Sequence, residues 1–114
     1  MNKLINIFKA LSDKNRLRIL LMLSRKKLCV CEIQAILGVT VSTVSKHLSI
    51  LKEIGLIFDE KDGKWINYTL NKNSKDAVLI QLLLLIQFYI SEDELVKSDL
   101  KKVENICRNK LSSI

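Results

Sequence analysis

The sequence predicts a mainly α-helical single domain carrying one two-stranded β-hairpin, and three observations support this. Chain breakers are scarce, with no proline and three glycines in 114 residues, so helices can run long. Apolar residues recur at helical spacing through most of the chain and switch to alternation in residues 65–70. Asp62-Gly63 lies between two strand-forming runs, a strong short-range signal for a hairpin. The length suits one modest core, and 48% hydrophobic residues exclude a disordered chain.

Residues 1–11 form an amphipathic helix with Leu4, Ile5, Phe8 and Leu11 on one face. Ser12 and Asp13 break and cap the chain before a second helix that runs to about residue 24, closed by Arg25-Lys26-Lys27 at the negative end of its dipole. Residues 29–37 make a short third helix stopped by Gly38. Val39 and Thr40 turn the chain into a fourth helix, residues 41–54, which Gly55 ends. Residues 56–58 and 65–70 are the hairpin strands. A helix capped by Asn73 or Ser74 then runs to residue 90, and Ser91-Glu92-Asp93-Glu94 fits a capping box for a last helix to about residue 111. Short helix, tight turn, longer helix and hairpin, in that order, describe a winged helix-turn-helix. Within one domain of residues 1–114, residues 29–54 are the helix-turn-helix, 56–70 the wing, and 1–11 with 74–112 the dimerisation helices.

Charge is placed unevenly. The net charge is +7, and residues 1–52 hold ten Lys or Arg against Asp13 and Glu32, whereas residues 91–114 carry five of each sign. A basic excess confined to one part of a folded chain suggests a face that meets a polyanion. The N-terminal residues lack the pattern of a secretion signal. The longest apolar stretch, residues 78–90, contains Gln81 and Gln87 and falls short of the about 20 residues a membrane span needs. Three cysteines are too few for a secreted disulfide scaffold, so a reduced, cytoplasmic protein without membrane contact is expected.

The fourth helix has the chemistry of a DNA reader. With Val44, Leu48 and Leu51 buried, Ser42, Lys46, Ser49 and Glu53 face outward, flanked by Thr43 and Ser45 near the N-terminal end. Small hydroxyls and a lysine at a helix start can reach base edges and phosphates without blocking approach to a major groove. So many hydroxyl residues, Thr40 included, cost helix propensity. Capping is the structural alternative for each of them singly. His47 stands at the edge of the apolar face, suited either to a phosphate or to packing. Lys61 and Lys64 at the hairpin tip are placed for an adjacent phosphate or minor groove, and Trp65 for packing under the wing. One reading helix gives limited specificity, and residues 78–90 are too apolar to face water. A homodimer burying them with the first helix would set two reading helices over a palindromic operator in double-stranded DNA.

Cys29-Val30-Cys31 offers two thiolates to a soft ion. On a regular helix, residues two apart point roughly 200° away from one another, so both sulfurs grip one ion only if that helix end is distorted or extended. An ion preferring such a state would oppose DNA binding, with a coupling of about 1–3 kcal/mol, roughly 5–150-fold.

The runs Leu28-Cys29-Val30-Cys31-Glu32-Ile33, Thr43-Val44-Ser45-Lys46-His47-Leu48, Leu51-Lys52-Glu53-Ile54-Gly55-Leu56-Ile57 and Gly63-Lys64-Trp65-Ile66-Asn67-Tyr68 resemble the ArsR-type metal-sensing repressors over residues 5–70. The resemblance implies a dimeric repressor that leaves its operator on binding a thiophilic inducer. For the Leu-Cys-Val-Cys pattern that is most often As(III) or Sb(III), and Cd(II)- and Pb(II)-sensing relatives share it. No metal is then needed for DNA binding. Common arsenite sensors have a further cysteine three residues beyond the pair, where this chain has Gln34. The N-terminal cysteines of related cadmium sensors have no counterpart here. The zinc sites that other relatives build from late-helix histidines cannot form, because His47 is the only histidine. A third thiolate could come only from Cys107, placed on the seam Val96, Leu100, Val103, Cys107 and Leu111. As a small residue on that seam it suits core or interface equally.

Two other functions fit parts of the pattern. A redox or persulfide sensor would join Cys29 or Cys31 to Cys107. A DNA-independent sequestering module would show no salt-dependent duplex binding. One histidine, no recognisable carboxylate pair and no glycine-rich phosphate loop leave no catalytic constellation, so an enzyme is not expected.

Overall fold

The computed structural model describes residues 1–107. Among these, six helices and three strands follow in the order α1 (Asn2–Leu11), α2 (Lys14–Arg25), β1 (Leu28–Cys29), α3 (Val30–Leu37), α4 (Val41–Glu53), β2 (Ile57–Asp62), β3 (Trp65–Leu70), α5 (Ala77–Ile90) and α6 (Glu94–Asn105). The mainly helical winged helix-turn-helix expected from the sequence is the fold observed.

Local chemistry explains most boundaries. The Asp13 carboxylate accepts the amides of Asn15 and Arg16, at 2.8 and 3.0 Å, and so starts α2. Gly38 adopts φ +73° at the end of α3, where its amide bonds Gln34, so a left-handed residue makes the tight turn into α4. In the wing Asp62 pairs with Trp65. Gly63-Lys64 is thus a two-residue loop with φ +61° at Gly63, the arrangement that matches strand twist. Helix α5 starts later than its sequence suggests. Asp76 caps it through the Val78 amide, while the Ser74 hydroxyl accepts the Asp76 amide just upstream.

Two expectations need correction. The sheet has three antiparallel strands in the order β1-β3-β2, with Leu28 opposite Tyr68 and Cys29 opposite Asn67. A two-residue strand is too short for alternation to reveal it, and only its pairing with β3 defines it. Cys29 therefore belongs to a strand and caps α3, immediately preceding that helix. At the other end, α6 stops at Asn105 and Ile106 turns extended, so Cys107 leaves the seam of Val96, Leu100 and Val103 and is exposed. The expected continuation to Leu111 lies outside the described residues.

The core gathers Ile19, Leu20 and Met22 of α2, Ile33 of α3, Val44, Leu48 and Leu51 of α4, and Leu56, Ile57 and Leu70 of the wing root. The predicted inner stripe of α4 is fully buried. A buried ion pair ties the last helix to this core: Arg18 Nε and Nη2 donate to Asp99 Oδ2 and Oδ1 at 2.8 and 2.9 Å. The Asp99 side chain is 1% exposed and that of Arg18 13%, so a largely buried bidentate pair bridges α2 and α6.

Helix α1 is turned differently from its simplest reading. Ile7 and Ala10 are buried, whereas Leu4, Ile5 and Phe8 face outward. Helix α5 likewise buries Leu79 and Leu83 but exposes Leu84, Leu85, Phe88 and Tyr89, the last two more than 80%. No helix among the described residues is long and apolar enough to cross a membrane.

Candidate nucleic-acid interface and thiol site

The buried stripe of Val44, Leu48 and Leu51 sets the outward face of α4. Ser42, Thr43, Ser45, Lys46 and Ser49 are all exposed on it. At its start Thr40 caps the helix: its hydroxyl accepts the Thr43 amide at 3.2 Å and lies 2.8 Å from Thr43 Oγ1 and 3.2 Å from Ser42 Oγ. Thr40 thus serves the helix first, and the three hydroxyls form one cluster at the positive end of the α4 dipole, where an anion is favoured. On the wing, Lys61 and Lys64 are exposed. Lys64 Nζ lies 5.1 Å from the centroid of the half-buried Trp65 ring, which holds this ammonium near the hairpin turn. An exposed ion pair, Lys52 to Asp59 at 2.9 Å, connects α4 with β2.

His47 is not on that exposed face. It is buried, and its Nδ1 lies 3.1 Å from Arg16 Nη1. The structure therefore favours packing over direct phosphate contact for this residue. Arg16 carries no sequence signature of its own, since its role depends on an acceptor 31 positions away.

Replacing Lys46 by Ala should remove one phosphate contact. Duplex affinity would then fall about equally on all sequences, and the slope of log affinity against log salt would shrink by about one. Titration at several salt concentrations checks this. An unchanged slope would place Lys46 away from the backbone.

The thiol pair is geometrically convergent. Cys29 has extended backbone angles, φ −90° and ψ 169°, and its Sγ lies 2.9 Å from Cys31 Sγ, with both thiols free. Divergence of positions two apart applies within a helix, and Cys29 stands just outside one. The two sulfurs thus face one another without the helix end being unwound. Glu32 locks this arrangement. Its Oε1 accepts the Cys29 amide at 2.9 Å while the Cys29 side chain faces the Glu32 amide, a capping box formed by cysteine and glutamate. The three-residue spacing from Cys29 to Glu32 was a readable sign of this. Burial, then the hydrogen bond with Cys31, push the Cys29 thiol up to about 12, so it is protonated at neutral pH.

Cys107 does not meet the pair directly, and among the described residues no three His, Cys, Asp or Glu side chains stand close enough to hold a metal. It lines a surface cavity of about 410 Å³ that also contains Glu32, Asp62, Asn67, Lys26 and Lys27. The cavity therefore adjoins the cap of Cys29 on one side and the wing on the other.

Residues 13–58 match the family model described as "Bacterial regulatory protein, arsR family". The chain is 44% identical over 68 residues to the arsenical resistance operon repressor of Escherichia coli K12, covering 59% of this chain and 58% of that protein. It is 43% identical over 76 residues to the cadmium resistance transcriptional regulatory protein CadC of Listeria innocua, covering 66% and 63%. Less than two thirds of the length of these two relatives is therefore spanned. The arsenical resistance operon repressor of Bacillus subtilis 168 is 42% identical over 80 residues, covering 69% of this chain and 76% of that protein. Among solved structures, a homodimeric winged helix-turn-helix domain from Mycobacterium bovis, a possible ArsR-family regulator, superposes with a TM-score of 0.67 at 27% identity, covering 82% of each chain. The transcriptional repressor BigR from Xylella fastidiosa does so with 0.66 at 26% identity, covering 82% of this chain and 89% of that one.

Proposed function

The chain belongs to the arsR family of bacterial regulatory proteins, and from that premise we propose that it is a transcriptional repressor released from its operator by a thiophilic metalloid, As(III) or Sb(III). The single observation that carries the inducer class is the preformed pair of sulfurs, Cys29 and Cys31, 2.9 Å apart at the entrance to the helix-turn-helix. Soft thiolates select soft ions, and relatives named for arsenical resistance align with this chain. CadC-type relatives keep Cd(II) as the alternative inducer.

DNA is held by Ser42, Thr43, Ser45, Lys46 and Ser49 of α4 in a major groove, with Lys61 and Lys64 of the wing on flanking phosphates. Thr40 acts as the cap that orders the hydroxyl cluster, and His47 as a support behind it. Two copies meet through the exposed apolar faces of α1 and α5, so that two reading helices address a palindromic site.

Arsenous acid carries three hydroxyls. Three thiols replace them by forming three As–S bonds and releasing three waters, with no change in the oxidation state of arsenic or sulfur. Cys29 and Cys31 supply two of these thiols, and we assign the third to Cys107. Because the pair already converges, the ion has no helix end to unwind. What it changes is the position of the segment bearing Cys107 relative to the α3 cap and the wing. The differential affinity for that altered state is what weakens the DNA complex.

The test follows release of a duplex taken from upstream of the gene, using reduced protein titrated separately with arsenite, cadmium and persulfide. Arsenite should weaken the complex roughly 5–150-fold. Cys31→Ser and Cys107→Ser should each abolish that response. A full response in Cys107→Ser would remove that residue from the site. Release by persulfide alone would make this a sulfur or redox sensor. Absence of duplex binding under every condition would overturn the repressor reading.

A further inference from the structure

We infer that Val41, the first residue of the reading helix, determines operator specificity by packing against the 5-methyl group of a thymine in the major groove. The inference rests on the reading that α4 enters that groove, and it names the base that α4 selects there.

Large apolar side chains left exposed gather on α1 and α5, where two copies are proposed to meet. Among the described residues, only Val41, Phe58 and Ile66 lie outside residues 1–11 and α5, and of these Val41 alone stands on α4. It continues the stripe of Val44 and Leu48 to the tip of the helix, where the core ends. Val44 and Leu48 are fully buried, whereas Val41 is 54% exposed. Nothing in the helix itself requires valine here. A β-branched residue on an exposed turn costs helix propensity relative to alanine, and Thr40 already supplies the cap. A helical side chain leans toward the N-terminus of its helix, so the methyls of Val41 cover the space ahead of the first turn. In a helix-turn-helix that is the part of the reading helix that meets base edges.

The polar groups around Val41 discriminate poorly between bases. Thr40 Oγ1 lies 3.2 Å from Ser42 Oγ and 2.8 Å from Thr43 Oγ1, and such hydroxyls donate to or accept from any base. An apolar surface is more selective. Thymine alone shows the major groove an apolar group, its C5-methyl. Adenine and cytosine would set an amino group against the valine methyls, and guanine a carbonyl oxygen, each stripped of water without a partner. The stiff χ1 of valine means that little rotamer freedom is lost on contact.

The test replaces each thymine of the duplex taken from upstream of the gene, one at a time, by deoxyuridine. This deletes a single methyl and leaves base pairing intact. At one thymine in each half-site, wild-type affinity should fall about fourfold, the scale of one buried methyl, and about fifteenfold with both half-sites changed. Val41→Ala keeps the fold, since alanine favours a helix and the side chain is exposed. It should bind the unmodified duplex at least as weakly as the wild type binds the doubly changed one, and should ignore deoxyuridine at those two positions. Its salt slope should equal that of the wild type, because no phosphate contact is removed. Deoxyuridine losses that are the same in Val41→Ala as in the wild type would overturn the inference, and so would a wild type that loses affinity at no thymine. A wild type that binds no duplex at all would strike the DNA-binding reading, and this inference with it.

Discussion

Phe88→Glu is expected to yield a monomer at micromolar concentration and to abolish operator binding at concentrations that saturate with the wild type. Phe88 and Tyr89 of α5 are 84% and 81% exposed and stand on one face with Leu84 and Leu85. Leu4, Ile5 and Phe8 of α1 are exposed as well. Apolar patches of this kind on a small domain mark contact surfaces. In a twofold contact every substitution occurs twice, and a buried aromatic anchor is worth at least about 2 kcal/mol on truncation. Two carboxylates in an apolar contact would thus cost at least about 4 kcal/mol, a thousandfold or so in dimer affinity. Sedimentation of the wild type and variant across a concentration series checks it. An unchanged dimer would place the contact on another face, and a monomeric wild type would remove the two-headed reading of the operator.

Asp99→Ala is expected to lower the unfolding free energy by about 3–5 kcal/mol, because it strands the largely buried Arg18 guanidinium without its partner. The loss should far exceed that from Asp59→Ala, whose ion pair with Lys52 is exposed. The contrast separates burial from mere pairing. Replacing both members, Arg18→Met with Asp99→Leu, should recover most of the stability, since two apolar side chains carry no charge to desolvate. Urea denaturation of the four proteins measures this. A loss below about 1 kcal/mol in Asp99→Ala would mean that water reaches Arg18 once Asp99 is gone.

The helices, the turn at Gly38, the wing loop at Gly63 and the buried stripe of α4 were all legible in the sequence. Each is decided locally, by spacing, by a cap or by a backbone angle that glycine adopts. The outward set of Ser42, Thr43, Ser45, Lys46 and Ser49 followed from the same stripe. Legibility ended where partners are distant in sequence. His47 at the edge of the apolar face suited a phosphate as well as it suited the interior, and only α2 decided the matter by bringing up Arg16. For Cys107 the continued helical seam was the natural reading, yet the chain leaves the helix at Asn105 and delivers it to the cavity beside Glu32.

The sequence by itself determined a winged helix-turn-helix with a hydroxyl-rich reading helix and two thiols at its entrance, because periodicity, capping and charge are properties of neighbouring residues. Only the tertiary structure decided that those thiols already converge. Strand pairing of Cys29 with Asn67 holds that residue extended outside the helix, and register between segments far apart in the chain is a property that no local pattern contains.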